Sequence, residues 1–262
     1  QRQMCIRDRV PLVSLSEQGD LLKEIADTLQ IDKDSILDYD LCLYNMENPV
    51  LLGLDSSMIA AAKLDNLTSV GAILNAIQKC EKVPENTVDV MVVFDNEEVG
   101  SLSKQGADSE LLPMVLNKIG LSLCGDEFKM SDIIKKSFLL SVDVAHAYHP
   151  NYEEKSDPYN KAFLGKGFCI KRSIGQKYGT TSESSAVLKQ LCEKHRIPYT
   201  VAINKTGIPG GSTLGPIVTS HLPMPCADIG MPVLAMHSAS ELGAAADYQA
   251  LKAVLYAFYN EK

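Results

Sequence analysis

The sequence predicts an α/β protein, a mixed sheet covered by helices on both faces. Segments with helical spacing alternate with strand-length segments along most of the 262 residues, the pattern of a helix-covered sheet. Two runs, VDVMVVF at 88–94 and FLLSV at 138–142, are largely apolar, as in strands buried on both faces. Apolar residues make up 45% of the chain, enough to bury a substantial core.

Over 20–30, Leu21, Leu22, Ile25, Ala26 and Leu29 follow the i, i+3, i+4 spacing of a helix. In ILDYDLCLY at 36–44, Tyr39, Leu41 and Leu43 alternate with mostly more polar neighbours, which predicts a strand. Asn48, Pro49 and Gly53 then mark a turn and a domain boundary. Leu67, Val70, Ile73, Leu74 and Ile77 define a second helix, and the 88–94 run reads as a buried strand. A helix over 109–123 precedes the 138–142 strand. After it come a strand at 167–171, a helix at 184–194, a strand at 199–203, a short strand VLAM at 233–236 and a closing helix over 240–259.

Charge and cysteine usage exclude several function classes. With 25 Lys+Arg against 33 Asp+Glu the net charge is −8, and no basic stripe is present to hold nucleic acid or an anionic membrane. No window approaches the roughly 20 apolar residues of a bilayer-spanning helix. The seven cysteines are scattered, without a CxxC pair, so a zinc ribbon or disulfide framework is not expected. They read as mostly buried thiols of a cytoplasmic protein. Residues 1–9, QRQMCIRDR, have no apolar stretch of a secretory signal and no hydrophobic period tying them to the neighbouring segment. They read as sequence foreign to the protein.

Ligands of open α/β sheets bind beyond the carboxyl ends of strands. The 88–94 run ends in Asp95-Asn96-Glu97-Glu98, the 138–142 run ends at Asp143 shortly before His146, and VLAM runs into His237. Asp65 stands just before the second helix. Carboxylates and imidazole are the donors of zinc, cobalt or manganese hydrolytic sites, and adjacent glutamates can supply one ligand and one free base. Each residue alone also fits a plainer role: a helix cap for Asp65, a solvated face for the Glu pair, a satisfied polar residue for His237.

The phrases KLDNL, FDNEEVGS with QGADS after it, SVDVAHAYHPNY, GGSTLGPI and MPVLAMHS, in this order, resemble the M18 metalloaminopeptidases, the aspartyl aminopeptidase group. GKGFCIKRSIGQKYGTTSES at 165–184 is similar to members of the same family. The resemblance implies a dinuclear zinc-peptidase-like catalytic domain over 53–262, preceded at 10–52 by the tail of a dimerisation domain. It implies two divalent ions, zinc first, with cobalt and manganese suited to the same donors. Asp65 would bridge the ions, Glu98 and His237 would complete one site, and Asp143 would serve the other. Glu97 would be the general base that takes a proton from the attacking water. Asp143, His146, Lys171 and Tyr178 match substrate-contacting positions, where a lysine suits a substrate carboxylate. Gly210, Gly211 and Ser212 would form a tight turn near the site.

The implied function is removal of the N-terminal residue, Asp or Glu, of a peptide by a homo-oligomeric enzyme. The family's first metal-ligand histidine lies in an N-terminal part of the catalytic domain, before the dimerisation domain, and a further substrate-contacting histidine lies in the dimerisation domain, whereas the first His here is His146. The expectation is therefore a chain with an aminopeptidase's site residues but without that ligand, incomplete at its N-terminal side. A non-catalytic module of the same family and a deacylase on the same fold are the competing expectations.

Overall fold

The computed structural model describes residues 11–81, 85, 87–208 and 210–261. The expectation that residues 1–9 are foreign lies outside them. The chain divides into two compact units between Tyr44 and Asn45.

In the first unit, α1 (Leu21–Leu29) is capped by the Asp20 carboxylate, which accepts from Lys23 N–H at 3.1 Å. It ends where Gln30 turns left-handed at φ 57°. The strand expected over 36–44 is not formed. Leu37, Tyr39, Leu41 and Leu43 are exposed, and no described strand pairs with the segment. Alternation reports that one face could be buried; without a ladder partner it does not make a strand.

The second unit begins with β1 (Val50–Leu52) and β2 (Met58–Ala61), antiparallel across a turn where Gly53 adopts φ 91°. Next come α2 (Leu64–Gln78), α3 (Leu111–Cys124) and the single turn α4 (Met130–Ile134). The remaining order is β3 (Leu139–Val142), β4 (Ala145–His146), β5 (Phe168–Arg172), α5 (Ser182–His195), β6 (Tyr199–Ile203) and α6 (Leu214–His221). Then β7 (Cys226–Gly230), β8 (Pro232–Leu234), β9 (Glu241–Ala244) and α7 (Ala245–Asn260) close the chain.

Two mixed sheets result, in the orders β1-β2-β9-β8-β4 and β3-β7-β5-β6. They run into one another, because β3 continues into β4 while β7 continues into β8, and β3/β7 and β4/β8 are both parallel pairs. Backbone bonds from Asp143 N–H to Ile229 O and from Ala145 N–H to Met231 O, each 2.9 Å, carry the ladder through the bend. A side chain at Gly230 would place its Cβ 1.5 Å from the Asp143 carbonyl oxygen, so only glycine fits there.

Helices cover both faces. Leu140, Val142, Ile170 and Ile229 point into the main core with residues of α2, α5 and α7, among them Ala72, Leu188, Leu251 and Leu255. Leu139, one position out of phase with Leu140, instead meets Ile134, Val218 and Leu222. The thioether of Met231 and the ring of Phe168 are fully buried in the main core.

Three further expectations need correction. The VDVMVVF run at 88–94 forms no strand: no described strand lies beside it, and Val88, Val90, Val92 and Val93 are exposed. The VLAM strand stops at Leu234, because Ala235 turns left-handed at φ 55°. The helix expected over 240–259 starts only at Ala245; residues 241–244 are a strand, paired with β2 and β8. Of the described cysteines, Cys169, Cys192 and Cys226 are buried, Cys80 is half-buried, and Cys42 and Cys124 are exposed. Burial pushes the Cys169 and Cys192 thiols up to about 12.

Candidate metal centre

β2 delivers the chain to Asp65 at the mouth of α2. Asp65 and Asn66 lack helical dihedrals, and the peptide bond between them is cis. The Asn66 side-chain amide donates to Val142 O at 3.0 Å, joining this mouth to the end of β3. From the other end of the chain, β8 leads into a turn in which His237 adopts φ 67° and Ser238 N–H bonds Ala235 O at 3.0 Å.

These two arrivals place side chains together. His237 Nε2 lies 3.1 Å from Asp65 Oδ2 and 3.0 Å from Glu98 Oε1. One donor atom from each of Asp65, Glu98 and His237 falls within 4.8 Å of the others. The donors are two carboxylate oxygens and an imidazole nitrogen, a set that suits zinc and related divalent ions, and three protein ligands leave a coordination position free. The donor chemistry fits such an ion.

Electrostatics mark the same place. Burial lifts the Asp65 carboxyl to about 7, helped by the charges of Asp143 and Glu98 and opposed by His237. Glu97 is lifted to about 7 by burial, then by Glu98 and Asp143. His146 is held below its usual value by desolvation, then by the charges of His237 and Lys171. Acids whose ionisation is disfavoured by burial and by one another's charge are frequent at functional sites.

Asp143 is brought beside this group but makes its direct contact elsewhere. Its Oδ2 pairs with Lys171 Nζ at 3.2 Å, and the same ammonium donates to Val144 O at 3.1 Å. Lys171 is 2% exposed on β5, and these two acceptors partner its buried charge. Its Nζ stands 5.2 Å from the centroid of the Tyr178 ring, whose hydroxyl accepts from Asn204 Nδ2 at 2.9 Å. Residues 210–213 run beside this corner: Lys177 Nζ donates to Gly210 O at 2.7 Å, and Ser212 Oγ to Lys177 O at 3.1 Å.

Two fully buried acids hold the surrounding loops. Asp228 accepts from Gly179 N–H and from Thr213 Oγ1, fixing the loop that carries Tyr178. Asp247 accepts from Gly165 N–H and Gly167 N–H, each at 2.7 Å, at the entrance to β5. A third buried acid, Glu241, accepts from Asp65 N–H at 2.8 Å and from His237 N–H at 2.7 Å. Sequence reasoning missed Glu241. It stands four residues after His237 in AMHSASEL, within the stretch expected as helix, and nothing in that context separates it from a solvated acid.

Known proteins are similar to this chain at several levels. Residues 13–259 match the profile of the aminopeptidase I zinc metalloprotease family, M18. A probable M18 family aminopeptidase 2 of Clostridium novyi (strain NT) is 42% identical over 258 residues, 97% of this chain and 59% of the relative. The chain thus spans little more than half the length of the curated relatives it matches. Among solved structures, the M18-family aminopeptidase of Thermotoga maritima superposes with a TM-score of 0.83 at 22% identity, covering 97% of this chain and 58% of the other. The mApe1 dodecamer of S. cerevisiae superposes with a TM-score of 0.77 at 22% identity, covering 91% and 54%. These two likenesses bear on the fold, which is the mixed helix-covered sheet expected from the sequence. On the strength of the profile match over most of its residues, the chain belongs to the M18 family of aminopeptidase I zinc metalloproteases.

Proposed function

We propose that the chain carries the catalytic residues of a metal-dependent aminopeptidase that removes an N-terminal Asp or Glu from peptides. The convergence of Asp65, Glu98 and His237 beside Glu97 carries this reading. Asp65, Glu98 and His237 would hold one divalent ion, and Asp65 with Asp143 would hold part of a second, zinc being the first choice in both places. When bound, the ions supply Lewis-acid polarisation of the scissile carbonyl. Glu97 takes the proton of the attacking water and passes it to the leaving amine. Burial of the Glu97 carboxyl favours it as a proton acceptor in this role.

His146, Lys171, Tyr178 and Asp143 hold the substrate. An ammonium has three donors. Lys171 gives two to Asp143 and Val144 O, and the third serves the substrate carboxylate, which supports the acidic preference. The catalytic domain takes in residues 53–262, with 10–52 belonging to a dimerisation domain, and the protein works as a homo-oligomer in the cytoplasm. The buried thiols of Cys169, Cys192 and Cys226 support a reducing compartment, and among the described residues no helix is long and apolar enough to cross a membrane.

Hydrolysis of unblocked Asp-, Glu- and Leu-linked reporter peptides in zinc, cobalt or manganese tests the reading. The expected result is release of the acidic residues first, with turnover abolished in Glu97→Gln while metal content is kept. Equal turnover in Glu97→Gln would overturn the base assignment. Metal binding without any turnover would assign the chain to a non-catalytic role, and turnover of acylated amino acids alone would assign it to deacylation.

A further inference from the structure

Glu241 opens β9 opposite Ala61 of β2, so a sheet ladder fixes its backbone. The residue is 2% exposed. A carboxylate this buried must find donors, and it finds two backbone N–H groups with its two oxygens: Oε2 takes Asp65 and Oε1 takes His237. Asp65 lies 176 positions from Glu241 and His237 only four, yet these are the residues whose side chains meet at 3.1 Å. One rigid anion therefore grips both main chains directly beneath the Asp65–His237 pair.

We infer that Glu241 is a positioning residue that sets the spacing of Asp65 and His237 and so the affinity of the centre for a divalent ion. The inference rests on the metal reading proposed for Asp65, Glu98 and His237. A neutral glutamine cannot replace the clamp, because its single oxygen accepts from one N–H while its amide turns a donor toward the other. Aspartate, shorter by one methylene, cannot reach both. Outer-sphere contacts of this kind typically alter metal affinity by about 10–100-fold when lost.

The test titrates Co2+ and Zn2+ into the wild-type chain, Glu241→Gln, Glu241→Asp and Asp247→Asn, with heat and the visible Co2+ bands as readouts. Asp247→Asn is the control, since it loosens a buried carboxylate clamp at Gly165 and Gly167. The expected result is about a 10–100-fold loss of affinity and an altered Co2+ spectrum in both Glu241 variants, with far-ultraviolet circular dichroism kept. Asp247→Asn leaves the spectrum unchanged. Tight wild-type binding with unchanged affinity and spectrum in Glu241→Gln would overturn the clamp alone. Absence of binding by the wild-type chain would overturn the metal reading and the clamp with it. Should the variants unfold, amide exchange of the metal-free wild-type chain decides: the clamp requires slow exchange at Asp65 and His237, and fast exchange at both rules it out.

Discussion

The two sides of the acidic cluster are built differently. Asp65 and His237 emerge from paired strands, β2 and β8, and share the Glu241 carboxylate beneath them. Glu97 and Glu98 come after a segment with no ladder, whose valines at 88, 90, 92 and 93 are exposed. Beyond it the backbone closes through a single bridge between Asn96 and Gly106 and an Asn96 Nδ2–Ser103 Oγ bond of 3.0 Å. Further along, His221 of α6 holds the same region through Asp108 at 2.7 Å and Glu110 at 3.2 Å. Residues equally visible as site candidates in sequence are thus supported unequally: one side is held by sheet ladders, the other by scattered contacts such as those of His221 and the Tyr259 hydroxyl, which donates to Val90 O at 3.3 Å. Local stability tracks such differences in buried contact and backbone pairing.

The largest effect belongs to the sheet side. Gly230→Ala would force a Cβ into the Asp143 carbonyl at the bend, and a loss of about 3 kcal/mol or more is expected from urea unfolding. A neutral substitution there would break the account of how Asp143 is placed. Next, Ile170→Ala in the main core should cost about 2–5 kcal/mol, whereas Val93→Ala should stay within about 0.5 kcal/mol. Equal costs would show that the 88–94 segment is as well supported as β5.

A smaller effect sharpens the comparison at His221. Its hydrogen bond to Asp108 raises its proton affinity above the ordinary value, with the Glu110 and Asp108 charges adding and desolvation opposing. A group whose folded value is raised stabilises the fold fully below its unfolded value, about 6.5, and loses that contribution as pH rises through the folded value. The Tm gap between wild type and His221→Gln should therefore be widest below about pH 6.5 and shrink as the pH rises above it. A gap that widens with pH would mean the ring works there as a neutral group.

Much of this arrangement is legible in the residues, and the exceptions share a cause. FLLSV, YTVAI and the helices around Ile73 and Leu188 form within a few residues of the expected limits, because local periodicity and burial agree there. The 36–44 and 88–94 runs have strand periodicity too, but a strand also needs a neighbour, which periodicity does not report. ELGA reads as the first turn of a long helix until β2 and β8 claim it from either side. At the site, motif phrases marked Asp65, Glu97, Glu98, Asp143 and His237, while the pairing of Asp143 with Lys171 and the grip of Glu241 on two distant main chains leave no pattern along the chain.

The most direct test of the central claim is zinc binding measured by calorimetry on the wild-type chain, Glu98→Ala and His237→Ala. Tight zinc binding by the wild-type chain that both substitutions weaken at least about 10-fold is the predicted result, since each removes one of three donors around the same point. Zinc affinity unaffected by either substitution would contradict the assignment of Asp65, Glu98 and His237 as one metal centre.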